Sequence, residues 1–226
     1  MGYHIDTGLI KDKFKEYCNC PLCEIKKIVE EQFLHEFLND AVMEDSTREK
    51  VNKLGFCERH FNMLLSRPNK LSVALQAETR CNFIKPHLLK ITNISSAKKA
   101  VKNLEQLSKT CIVCDLTQQS MVKYYKTVAQ LFVKEKSFYK SILSCKGFCI
   151  EHYAQLLKYA KHAGFMAKEY ISLLSSVQER TFSQMQEDLH CFCLKHDYRN
   201  ANVPLGNAET SLPRIKAKLF GDKNEW

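Results

Sequence analysis

Cys20-Pro21-Leu22-Cys23 and Gly55-Phe56-Cys57-Glu58-Arg59-His60 return later in the chain as Cys111-Ile112-Val113-Cys114 and Gly147-Phe148-Cys149-Ile150-Glu151-His152. Cys23 and Cys57 are 34 residues apart, Cys114 and Cys149 are 35 apart, and the two copies are offset by 91 residues. A two-residue gap lets both sulfurs of a C-x2-C pair face one ion. A Cys and a His three apart on a helix lie one turn apart on the same face. Each copy therefore offers three thiolates and one imidazole, the donor set of a closed tetrahedral zinc site. An offset of 91 residues is too long for a solenoid repeat and suits a duplicated half-domain.

The surrounding pattern is helical. Only 7 glycines and 5 prolines punctuate 226 residues, and no stretch alternates apolar and polar as a half-buried strand does. A short helix or arm is expected over 6–17. Pro21 suits a first helical turn, and Ile25, Ile28, Val29, Phe33 and Phe37 follow at helical spacing. Ser46-Thr-Arg-Glu49 reads as a capping box, and Gly55 as a helix stop. Cys57 opens a helix with Phe61, Leu64 and Leu65 facing inward. A helix over 70–84 would bury Leu71, Ala74, Leu75 and Cys81, with Pro86 kinking or ending it. A lysine-rich helix over 97–109 leads to the second copy. There Tyr153, Leu156 and Leu157 match Phe61, Leu64 and Leu65 position for position. A long helix over about 164–188 and a final one over about 210–220, stopped by Gly221, complete the chain. The fold expected is all-α: one domain over 1–226, with a first half 6–92, a second half 93–189 and a tail 190–226, and a Cys3His zinc knuckle at helix N-termini in each half.

Loop closure favours ligands close in sequence. It predicts one site from Cys20, Cys23, Cys57 and His60, and a second from Cys111, Cys114, Cys149 and His152. Both are filled by protein donors, so two structural Zn²⁺ ions are expected. An iron–sulfur cluster is the alternative, because cysteine-rich helical sites also hold those. Of the eleven cysteines, five remain. Cys81 reads as core. Cys18 and Cys145 flank the motifs as spare ligands or thiols. Cys191 and Cys193, with His196, could form a redox pair or a third metal site.

The formal net charge is +9, spread over both halves. That reads as a solvated lysine-rich surface rather than a nucleic-acid stripe. No run reaches the roughly 18 apolar residues of a membrane span, and Met1-Gly-Tyr-His-Ile-Asp6 shows no basic-then-apolar signal pattern. A soluble cytoplasmic protein is expected, in a compartment that keeps thiols reduced. No phosphate loop, dinucleotide glycine fingerprint, nucleophile elbow or H-E-x-x-H is present. Glu44, Arg48, Asp197, Tyr198 and Arg199 are the candidates for a polar site; capping and surface roles compete for the same residues.

These motifs resemble an uncharacterised family of helical proteins from anaerobic Gram-positive bacteria. The matching pieces are Cys20-Pro-Leu-Cys23, Met43-Glu44-Asp45 with Arg48, Gly55-Phe56-Cys57-x2-His60, Cys111-x2-Cys114, Gly147-Phe148-Cys149-x2-His152 and Asp197-Tyr198-Arg199. The chain departs from that family at 201–205. The resemblance implies metal binding and supplies no substrate. Three functions stay open at this point: a zinc-stapled binding or scaffold protein with a macromolecular partner, a thiol-based redox or metal sensor, and an enzyme using a site between the halves.

Overall fold

The structure, a computed structural model, describes residues 7–39, 44–89, 91–195, 199 and 204–222. Helices account for its regular structure, and no strand occurs among the described residues. They run in the order α1 (Thr7–Lys15), α2 (Pro21–Leu38), α3 (Asp45–Leu54), α4 (Glu58–Leu65), α5 (Lys70–Leu88), α6 (Ile94–Ser108), α7 (Ile112–Lys134), α8 (Lys136–Ser144), α9 (Ile150–Lys158), α10 (Ala167–Lys195) and α11 (Ser211–Phe220). Tight 3-10 turns cover Ala160–Met166 and Gly206–Thr210.

Two compact units form, and their boundaries fall inside α2 and α7 rather than at the repeat junction near residue 92. The first unit joins 7–27 to 120–222, and the second is the continuous stretch 28–119. The first unit's core contains Ile10, Phe14, Tyr125, Phe138, Phe148, Tyr170 and Leu174, all at most 3 % exposed. Ring centroids of Phe14 lie 5.1 Å from Phe138 and 6.0 Å from Phe148. The second unit's core gathers Val29, Phe33, Leu34, Phe37, Met63, Leu64 and Val113, with Phe37 edge-on to Phe56.

Several local expectations need correction. α3 starts at Asp45, so Ser46 lies inside its first turn and makes no capping box; Thr47 instead donates to the Glu44 carboxylate at 3.3 Å. The capping box sits at Asn93 and Ser96, opening α6 three residues early. α5 runs through Pro86 to Leu88. In the last turn a proline forfeits a single helical bond, to the carbonyl of exposed Asn82, and water can satisfy that group. The inward face of α5 is Ser72, Val73 and Gln76, not Leu71, Leu75 and Cys81, which are exposed. Gln76 reaches the Phe37 carbonyl at 2.6 Å, so hydrogen bonding turns this helix. Leu65 is likewise 43 % exposed, while Leu64 beside it is buried. α8 stands as a separate helix, and α10 continues to Lys195.

Candidate metal centres

Each set of donors is presented by two helix starts. Cys57 and Cys149 occupy the N-cap positions of α4 and α9 in extended conformation, and His60 and His152 follow one turn in. Gly55 (φ 64°) and Gly147 (φ 77°) turn the chain into those caps. Both take a backbone region that other L-residues rarely adopt. A Cβ would also collide there, 2.8 Å from Arg80 Nε at Gly55 and 2.6 Å from Thr181 Oγ1 at Gly147.

The donors do not group as loop closure predicts. Cys20, Cys23, Cys149 and His152 form one cluster, and Cys57, His60, Cys111 and Cys114 form the other. Each C-x2-C pair meets the Cys-x2-His of the opposite copy, and each cluster lies wholly within one unit. The local pairing Cys20–Cys23–Cys57–His60 and its counterpart are therefore overturned, while the same eight residues supply the donors. Helix length is the physical reason. At about 1.5 Å per residue, α2 is about 27 Å long and α3 about 15 Å. The returning chain thus brings His60 beside Glu30, ten residues beyond Cys20. The second copy behaves alike: α7 has 23 residues and α8 has 9, and His152 arrives 6.0 Å from the ring of Tyr125. Against this, lengthening the closed loop from 34 residues to 126 costs only about 1 kcal/mol.

The donor atoms of each cluster lie within 4.8 Å of one another. In the first cluster His152 Nδ1 is 3.5, 3.3 and 3.2 Å from the sulfurs of Cys20, Cys23 and Cys149, and Cys23 and Cys149 are 3.7 Å apart. In the second, His60 Nδ1 is 3.2, 3.2 and 3.4 Å from Cys57, Cys111 and Cys114, and Cys57 and Cys114 are 3.9 Å apart. A tetrahedron with metal–sulfur bonds of about 2.3 Å and metal–nitrogen bonds of about 2.0 Å has S···S edges near 3.8 Å and S···N edges near 3.5 Å. The observed edges match, and the S···S distances are far longer than a disulfide bond. Both clusters can hold a metal ion.

Second contacts hold the donors in place. Glu30 accepts from His60 Nε2 at 2.7 Å and is forked by Arg59. Burial alone would raise the Glu30 carboxyl, but His60 and Arg59 outweigh it and hold it down to about 2. In the first unit the buried ammonium of Lys218 bonds the carbonyls of Asn19 and Lys146, the residues just before Cys20 and Gly147. In the second unit the equivalent join is direct. Thr110, just before Cys111, donates its hydroxyl to the carbonyl of Leu54, just before Gly55, at 2.6 Å. Ile112 N–H adds a bond to Gly55 O at 2.9 Å. Three thiolates around a divalent ion leave one negative charge, and each cluster has a cation beside it: Lys218 near Cys20 and Cys149, Arg59 near Cys114 and Cys57.

Without an ion, three buried sulfurs cannot all ionise. The Cys20 and Cys23 thiols donate to Cys149 and pull it far below the ordinary thiol range. Burial pushes Cys20 well up, and the bond to Cys149 is the largest influence pushing Cys23 up to about 12. In the second cluster Cys111 is the sulfur held low, at about 3, first by Cys114.

The remaining candidates among the described residues are in neither cluster. Cys81 is exposed on α5, against the expectation of a core position. Cys18, which burial pushes up to about 11, sits 3.8 Å from the Lys13 carbonyl, and buried Cys145 is in neither cluster. Cys191 and Cys193 lie two apart on α10, and residues so spaced do not share a helix face. The proposed third donor, His196, lies outside the described residues, as do Met43, Asp197 and Tyr198. Glu44 and Arg48 are exposed surface charges at the start of α3, and Arg199 is exposed. A polar cleft of about 410 Å³ in the first unit is lined instead by residues including Cys18, Lys146, Arg180, Asp188, Arg214 and Lys218. Glu30 and Lys218 were not singled out from sequence. A lone carboxylate in register with Leu34 and Phe37 was the available signal for Glu30.

A family model described as a family of unknown function, DUF6062, matches residues 1–225. The chain belongs to that family. This DUF6062 member is 27 % identical over 195 residues to a protein from Caldicellulosiruptor sp. (strain Rt8B.4), described as an uncharacterized 23.9 kDa protein in the xynA 3′ region. The alignment covers 85 % of this chain and 89 % of that relative. No solved structure matches. Among the described residues, no helix is long and apolar enough to cross a membrane.

Proposed function

We propose that this protein binds two Zn²⁺ ions as structural staples, one per unit, and that the stapled helices serve as a binding or scaffold surface in the cytoplasm. The tetrahedral spacing of three sulfurs and one Nδ1 in each cluster carries the reading. Zinc favours this mixed sulfur and nitrogen set at these edge lengths. A multi-iron cluster places its ligands on separate irons and holds them farther apart than donors converging on one point. Four protein donors leave no position for a reacting water, which supports a structural role.

Elemental analysis of protein purified without added metal tests the reading. Two zinc ions per chain are expected. Iron with acid-labile sulfide, or a folded chain with no metal, would overturn it.

A further inference from the structure

The two centres differ in how they meet solvent. The first is closed on every donor: Cys20, Cys23, Cys149 and His152 are each at most 4 % exposed. The segment after α11 lies over it. A Cβ at Gly221 would stand 3.7 Å from the Cys23 sulfur and 3.8 Å from that of Cys149. The Asp222 N–H donates to Cys23 Sγ at 3.4 Å, and the Asp222 carboxylate pairs with Lys27 at 3.1 Å, which latches the segment down. In the second centre His60 and Cys111 are buried, but Cys57 is half-buried and Cys114 exposed. Those two solvent-facing sulfurs are neighbours, 3.9 Å apart.

Resting on the zinc reading above, we propose that Cys57 and Cys114 are an oxidant-sensitive pair, so that the second centre releases its ion on oxidation while the first keeps its own. Thiolate reactivity follows access, and Cys114 is the one donor of the eight that is exposed. The two bound thiolates give two electrons to hydrogen peroxide and join as a Cys57–Cys114 disulfide. The peroxide takes up two protons and leaves as two waters, and zinc departs as Zn²⁺, unchanged in oxidation state. Closing the bond needs the sulfurs to move together by about 2 Å. His60 and Cys111 then remain, too few donors to retain zinc.

The test uses the full chain with Cys81, Cys191 and Cys193 changed to serine, which removes two exposed thiols and one half-buried thiol that are in neither cluster. Zinc is measured before and after graded hydrogen peroxide, and disulfides are mapped by peptide mass. Ion content falling from two to one per chain, with a Cys57–Cys114 link, is the expected result, and a thiol reductant plus zinc should restore two. Joint loss of both ions, earlier loss from the Cys20–Cys23–Cys149 centre, retention of both, or a different disulfide would overturn the proposal while leaving the zinc reading intact. A chain that carries no zinc before peroxide would overturn the zinc reading, and the proposal with it. The same measurements on the unsubstituted chain guard against a folding defect in the serine variant.

Discussion

The Glu30 carboxylate meets His60 at Nε2, 2.7 Å away, on the opposite side of the ring from the nitrogen that faces three sulfurs. His152 has the same sulfurs around Nδ1, yet its buried Nε2 has no hydrogen-bond partner among the described residues. A carboxylate behind an imidazole fixes its tautomer and raises its basicity as a ligand. Glu30→Gln should therefore weaken zinc at the second centre by about 10–100-fold and leave the first unchanged. Competition with a chromophoric chelator would resolve two affinities and show which one moves. The sign with pH follows from the carboxyl being held down to about 2. Its contribution to folding stability is present above about pH 4.3, where the unfolded group ionises, and is lost as pH falls toward 2.

The crosswise grouping of donors gives a sharper mutational outcome. Cys149→Ser should expose Cys20 and Cys23 to alkylation and leave buried Cys111 protected. Zinc content should drop from two ions to one. Loss of protection at Cys111 instead would restore the local pairing.

Removing both ions should unfold the helices. Structural zinc supplies about 10–16 kcal/mol per site, against about 5–15 kcal/mol for the whole stability of a domain. Far-UV circular dichroism during chelator titration should fall as zinc leaves, and a melt of the stripped protein should show no cooperative transition.

Loading the first centre should release protons. In the ion-free protein Cys20 and Cys23 are pushed up and hold theirs, whereas Cys149 does not. Zinc must displace the protons that these thiols hold, so affinity there should fall as pH falls. Chelator competition between pH 6 and 8 would give the slope.

Gly147→Ala should cost stability on two counts: φ of 77° and a Cβ 2.6 Å from Thr181 Oγ1. The backbone alone accounts for about 1–3 kcal/mol. Gly164→Ala meets open space at φ 56°, so only the backbone cost applies there. Urea midpoints of the two variants should separate, with Gly147→Ala the lower.

The sequence carried the eight donors openly, because metal ligation demands particular residue types at fixed spacing. The helical fold was legible for a related reason: Ile25, Val29 and Phe33 repeat with the helix period and are buried as that period requires. The grouping of the donors was hidden because it depends on how far a helix travels. Comparing the lengths of the segments either side of residues 39–44 would have exposed it. Cys81 misled because α5 buries the face that carries Ser72, Val73 and Gln76, with Gln76 bonded to the Phe37 carbonyl. Lys218 gave no signal at all. Its role exists only once 199 residues of chain have brought it back to the carbonyl of Asn19.

The second unit is one uninterrupted stretch, whereas the first is split around it. During synthesis, residues 28–119 emerge with all four of their donors and can capture an ion at once. Cys20 and Cys23 must wait for Cys149 and His152. Cys20 and Cys23 leave the ribosome before the second unit and are nevertheless locked after it, and any truncation before residue 149 strands two thiols without their partners.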